Sequence, residues 1–180
     1  AEGFVVVSID YRLAPETKLP EIITDVEDAF KWIRKHGHEK FNADTSKIAV
    51  LGGSAGGHLT FTTGFRVKPP PTVLVAYWGY GDLIGPWLSQ PSPHKRYQSR
   101  TLTPTEMKAV EAGPPVGNSY DRKGNGGAYY QTCRKLGIWP GKVSGFAETD
   151  AKKFAPFIDP VRISQAVSSN THIIELNGVR

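Results

Sequence analysis

The sequence predicts an α/β fold: a mostly parallel sheet flanked by helices, with a loop-rich, cap-like insertion. Three observations predict it. In the first half, runs of strand-like apolar residues alternate with stretches of helical periodicity. A glycine-rich turn then joins one of those strands directly to a helix. After residue 83 the periodicity fades, and nine of the fourteen prolines fall between Pro86 and Pro160. With 180 residues, 39% hydrophobic and 22% charged, the chain can build a core that buries about 70% of its unfolded surface. Its composition is not that of a disordered segment.

Taken in order, Phe4-Val5-Val6-Val7-Ser8-Ile9 is continuous, apolar and β-branched, the pattern of a strand covered on both faces. Glu21 to His36 repeats apolar residues at Ile22, Val26, Ala29/Phe30 and Ile33, which gives a helix one buried face. Pro20 suits its first position and Gly37 a left-handed cap. Acidic Glu21 and Asp25 near its start and basic Lys31, Arg34 and Lys35 near its end complement the helix dipole. Lys47 to Leu51 is a second strand, read as buried, Ala55 to about Arg66 a second helix, and Thr72 to Tyr77 a third strand after Pro69-Pro70-Pro71. Strands connected in this way run parallel through right-handed crossovers.

The insertion has two predicted helices. Thr103-Pro104-Thr105-Glu106 is a capping box with proline in the first turn, and Tyr129 to Leu136 is stopped by Gly137. His172 to Leu176 reads as a late strand. The expected organisation is a core over residues 1–83, an insertion over 84–157 and a return to the sheet over 158–180. Because strand patterns stand almost at both ends, where a covered strand lacks neighbours, the 180 residues are expected to be an internal piece of a longer protein.

Charge and cysteine content narrow the function classes. Of the net charge of +5, residues 1–83 carry −1 and residues 84–180 carry +6. The later basic residues (Lys95, Arg96, Arg100, Arg122, Lys123, Arg134, Lys135) are scattered, with no run longer than two, so they read as a solvated surface and not a nucleic-acid footprint. A single cysteine, Cys133, excludes an intrachain disulfide and a cysteine-rich zinc module. No run approaches the roughly 18 apolar residues of a membrane span.

Chemistry concentrates in Lys47-Ile-Ala-Val-Leu-Gly-Gly-Ser-Ala-Gly-Gly-His58. Gly52-Gly53-Ser54-Ala55-Gly56 fits G-x-S-x-G and lies between a strand and a helix, the context that a nucleophile elbow requires. Small neighbours at Gly52, Gly53 and Gly56 let strand and helix approach closely, and the strained turn lifts the serine hydroxyl clear of the backbone. The Ala55 amide, at the helix start, is placed to stabilise an oxyanion. A phosphate-cradling loop would need Gly-Lys-Ser/Thr or a differently spaced glycine triplet, and neither is present.

Ser8-Ile9-Asp10-Tyr11-Arg12-Leu13-Ala14-Pro15-Glu16, then Leu19-Pro20, an amphipathic helix and Gly52-Gly53-Ser54-Ala55-Gly56-Gly57-His58 resemble the α/β-hydrolase serine esterases and lipases, in the branch related to hormone-sensitive lipase. The match covers residues 4–78 and returns at Phe157 to Arg162 and from Thr171 to Gly178. It implies a carboxylic ester hydrolase working through an acyl-enzyme on Ser54, with Ala55 supplying part of the oxyanion hole. It implies no metal or organic cofactor and a small-molecule ester as partner. The rest of the family's oxyanion loop, its acid and its histidine have no counterpart in these 180 residues, so the piece by itself is expected to be inactive.

Other residues near the serine in sequence carry chemistry of their own. His58, four residues on within the helix, reads as structural. Asp82 follows a strand and the Gly79-Tyr80-Gly81 turn at the rim where ligands bind in open α/β sheets, either as a loop cap or as an acid. Asp82, Tyr80 and Trp87 are the candidates for a substrate pocket. Two alternatives stay open: a receptor-type binding protein that keeps the serine without catalysis, and a peptidase or acyltransferase using the same serine. Localisation and oligomeric state are not legible.

Overall fold

The structure is a computed structural model that describes residues 3–122, 126–146 and 172–176. It contains two compact units. Among the described residues, one draws on the stretches 3–9, 23–81 and 172–176, the other on 10–22, 82–122 and 126–146. The boundaries proposed from sequence at 157 and 158, and the motif Phe157 to Arg162, lie outside the described residues.

In the first unit β1 (Ala49–Gly53), β2 (Val73–Tyr77) and β3 (His172–Leu176) form a parallel sheet in the order β1-β2-β3. The register sets Gly53 beside Tyr77 and Tyr77 beside Leu176. The sheet is thus the parallel, helix-flanked α/β arrangement expected from the alternation of patterns. α2 (Ala55–Arg66) leaves β1 with a single intervening residue and packs on β1 and β2. Its residues Gly57 to Gly64 are all buried. Leu74 and Ala76 of β2 are wholly buried, as the central position of that strand demands.

α1 (Leu19–Phe41) is longer than the periodicity suggested. Ile23, Val26 and Phe30 form its buried stripe, and Arg66 of α2 reaches its Glu27 at 2.5 Å. Gly37 does not end the helix. The chain runs on one more turn and stops at Asn42, which takes φ 50°, while Asn42 N–H donates to the His38 carbonyl (2.9 Å) and Ala43 N–H to that of Gly37 (3.3 Å). Asparagine tolerates the left-handed cap that was assigned to glycine. Gly37 is small for another reason: a methyl there would stand 2.8 Å from Thr45 Cγ2.

Two further expectations are corrected. Phe4 to Ile9 forms no strand, and Phe4 and Val6 are 84% and 90% exposed. A strand exists only through hydrogen bonds to a neighbour, and none of the described strands pairs with this run. For the same reason β1 is a half-exposed edge among the described strands and not a covered central one: of these only β2 pairs with it, and Leu51 is 62% exposed.

The second unit is helical. α3 (Pro86–Ser89), α4 (Pro104–Glu111), α5 (Gly126–Leu136) and α6 (Trp139–Ser144) are joined by irregular chain, with short 3₁₀ turns at Lys95–Tyr97 and Ser119–Asp121. The capping box forms as predicted: Thr103 Oγ1 accepts from Glu106 N–H (3.2 Å) and Glu106 Oε2 accepts from Thr103 N–H (2.8 Å). Gly137, at φ 72°, ends α5. Leu102, Met107, Val110, Ala128, Tyr129 and Cys133 make one apolar cluster, with Ile138 and Trp139 against it. The polar anchors are long-range. Arg122 Nε donates to Glu16 Oε1 at 2.6 Å and its Nη2 to Glu16 Oε2 at 2.9 Å and the Ala14 carbonyl at 2.7 Å. Glu111 accepts from Tyr129 Oη (2.7 Å) and Lys142 Nζ (2.8 Å).

Candidate active site

Gly53 ends β1 and Ala55 begins α2, so the whole change of direction falls on Ser54. Its backbone sits at φ 53°, ψ −114°, outside the regions that non-glycine residues adopt without strain. Such a conformation persists only where the surroundings fix it. Here the Ser54 N–H donates to the Tyr77 carbonyl at the end of β2 (2.9 Å), and its carbonyl accepts from His58 N–H in the first turn of α2 (3.1 Å). The side chain does not cap the helix, and the residue is exposed. The hydroxyl is therefore left free of the local backbone.

The glycines around it have distinct steric duties. A methyl on Gly52 would overlap the Gly56 carbonyl and stand 2.7 Å from Thr60 Oγ1, so β1 and α2 diverge from a point where nothing larger fits. The close approach expected at Gly53 and Gly56 is corrected: a methyl on Gly53 would meet Trp78 Nε1 and Tyr77 only at 3.9 Å, and Gly56 is open. Sequence reasoning missed a second close approach. A methyl on Gly57 would lie 2.7 Å from Gly79 Cα, so α2 meets the segment after β2 backbone to backbone. The signal was available as a second glycine in Trp78-Gly79-Tyr80-Gly81.

His58 is structural, as expected. It is 96% buried, since 4% of its surface is exposed, and its Nδ1 lies 2.8 Å from the Tyr80 carbonyl. A carbonyl only accepts, so Nδ1 carries the proton, and Nε2, buried without a partner, is the bare nitrogen of a neutral ring. Burial pushes its pKa down to about 4. With one nitrogen on Tyr80 and the other unbonded, it makes no hydrogen bond to Ser54.

The remaining pocket candidates divide between the two units. Tyr80, in the first, contributes the carbonyl that holds His58. Asp82 and Trp87 belong to the second, where Asp82 Oδ1 accepts from the amides of Ile84 (2.8 Å) and Gly85 (2.9 Å). Trp87 Nε1–H donates to the Asp82 carbonyl at 3.3 Å, its own carbonyl accepts from Arg134 Nη2 at 2.8 Å, and the residue is 58% exposed. Asp82 is thus used as the cap of its own loop. Among the described residues no group of three or more His, Cys, Asp or Glu could hold a metal ion. No described helix is long and apolar enough to cross a membrane.

The chain is similar to known proteins. A family model described as the alpha/beta hydrolase fold matches residues 1–112. Esterase LipC of Mycobacterium tuberculosis is 46% identical over 70 residues, which are 39% of this chain and 17% of LipC. The non-reducing polyketide synthase atr1 of Stereocaulon alpinum is 31% identical over 129 residues, 66% of this chain and 5% of the synthase. The chain therefore spans only a small part of the curated relatives it matches. Among solved structures, a protein of unknown function from Staphylococcus aureus superposes with a TM-score of 0.62 at 19% identity, over 95% of this chain and 66% of that one, a likeness in fold. Because the matched stretch contains the entire strand–corner–helix unit as well as the Tyr11 to Glu16 motif, the chain belongs to the α/β-hydrolase fold family.

Proposed function

We propose that the protein of which this chain is part hydrolyses carboxylic esters, with Ser54 as nucleophile. The observation that carries the reading is the left-handed corner at Ser54, exposed and hydrogen-bonded through both of its backbone groups, between the sheet edge and α2. Strain of this kind is retained where the surrounding packing fixes it, and its cost is offset when the side chain it exposes has work to do. The likeness to an esterase supports the same reaction class.

In this reading Ser54 Oγ attacks the ester carbonyl while a general base takes its proton. The Ala55 amide, at the start of α2, donates to the developing oxyanion, aided by the positive end of that helix. Collapse of the tetrahedral intermediate expels the alcohol and leaves an acyl-serine. Water, deprotonated by the same base, then releases the carboxylic acid and restores the hydroxyl. His58 is not that base, since its bare Nε2 is buried and receives no hydrogen bond from Ser54. Asp82, Tyr80 and Trp87 remain the proposed pocket candidates, and the core, insertion and return at 1–83, 84–157 and 158–180 the proposed organisation.

The test uses the protein in its complete reading frame. A fluorophosphonate probe should label Ser54, and Ser54→Ala should abolish both the label and, by a factor of about 10⁴ or more, hydrolysis of a short p-nitrophenyl ester. An intact protein whose Ser54 is never labelled would overturn the reading.

A further inference from the structure

The residue after β2, Trp78, combines three properties that packing does not account for. Its φ is 39°, in the left-handed region, which is a marked outlier for a bulky aromatic. Its side chain is 61% exposed, although tryptophan is normally well covered. Its indole lies beside the elbow: a methyl placed on Gly53, the residue before Ser54, would be 3.9 Å from Trp78 Nε1. The strain is held from both sides. Tyr77 is fixed by its strand register and by the Ser54 N–H on its carbonyl, and Gly79 is pressed against Gly57. The ring also meets Tyr77 edge-on at 5.9 Å between centroids. An ordinary turn at this point would place glycine or asparagine at the positive φ. Keeping a tryptophan there holds a wide, flat, apolar ring in solvent, with its Nε1 edge beside Gly53, the residue before the serine.

We propose that Trp78 is a specificity-determining residue, forming an aromatic platform that favours esters bearing a flat aromatic group close to the reacting carbonyl. The proposal rests on Ser54 being the nucleophile, and it adds the class of substrate that the same site prefers. Offset or edge-on packing of aryl groups on the indole would raise reaction of aryl esters relative to compact alkyl esters.

Two measurements on the protein in its complete reading frame separate this from the nucleophile assignment. In the first, Ser54 labelling rates are compared for an aryl and a small alkyl phosphonate probe. Trp78→Ala should lower the aryl-over-alkyl ratio by roughly two- to tenfold, while Trp78→Phe, which keeps a ring, should retain most of it. In the second, phenyl acetate and ethyl acetate are titrated against Ser54→Ala, with and without Trp78→Ala, and the loss of phenyl acetate affinity should match that ratio. Unlabelled Ser54 with Trp78-dependent phenyl acetate binding would sink the nucleophile and leave the platform standing. A ratio unchanged by Trp78→Ala, with both rates moved equally, would overturn the platform. So would Trp78→Gly that lowers the thermal midpoint by many degrees, because that marks the ring as packing; relief of the left-handed strain should instead leave the midpoint little changed.

Discussion

The corner at Ser54 and the helical unit beyond Asp82 are held in place by different means. Around Ser54 the holding groups are backbone: an amide on the Tyr77 carbonyl, a carbonyl under the His58 amide, and two glycines whose main chains touch. In the second unit they are the ends of long side chains, Arg122 on Glu16 and Ala14, and Tyr129 and Lys142 on Glu111. A backbone-held corner has few rotamers to explore and fixes a serine within the narrow tolerance that attack on a carbonyl requires. Side-chain anchors instead let irregular chain stay folded with little regular structure, at the expense of burying charge.

The comparison can be broken most directly at Glu16, whose side chain is 2% exposed beside an Arg122 that is 10% exposed. Glu16→Ala leaves the guanidinium buried with the Ala14 carbonyl as its remaining acceptor, and should lower the stability of that unit by about 3–5 kcal/mol. Urea unfolding checks this, and a change below about 1 kcal/mol would show that the anchors matter little. Gly57→Ala should come next, at about 3 kcal/mol, because the added methyl meets the Gly79 backbone and not a side chain that can swing away. Amide exchange across α2 would report the loss; a variant as stable as the parent would mean that the two main chains are free to separate.

His58 gives the smallest effect and the one with a pH signature. Its folded pKa is about 4 against an unfolded value near 6.5. Between those values the unfolded chain binds more protons, so stability falls as the pH falls from about 6.5 towards 4 and is unaffected by this group above that window. At pH 5 the loss should be about 2 kcal/mol. His58→Asn keeps a donor for the Tyr80 carbonyl without titrating, and should flatten the dependence. An identical slope in the variant would show that His58 is not the group that titrates.

Buried Cys133 sharpens the same contrast, since in the second unit even a thiol is locked into the apolar cluster. Burial pushes it up to about 12, so it contributes no reactive thiolate to any site there.

Much of the site was legible because it is written locally. The steric demand read at Gly52 survives in the structure, while Gly53 and Gly56 have room for a side chain, and the strand before and helix after them followed from pattern alone. The Thr103–Glu106 box needed only a separation of three residues. Tyr129 to Leu136 was found for the same reason, with its start three residues late, whereas the six-residue α6 was too short to leave a periodic signature. The failures share a cause. Phe4 to Ile9 has the composition of a covered strand, but composition cannot supply the neighbour whose carbonyls and amides it would need. Gly37 looked like a cap because glycine allows one, while its real task, making room for Thr45, depends on a residue eight positions away.

What the amino-acid order fixed unaided is therefore the class of fold, the site of the sharp bend and the small residues that permit it, since each depends on contacts within about one turn of chain. Partners distant in sequence were decided only by folding: Tyr77 for the serine amide, Gly79 for Gly57, Tyr80 for His58, and Glu16 for an arginine 106 residues away. The reason is that a local preference is a property of a few torsions, whereas a long-range contact exists only once strands have chosen their neighbours and loops have been closed.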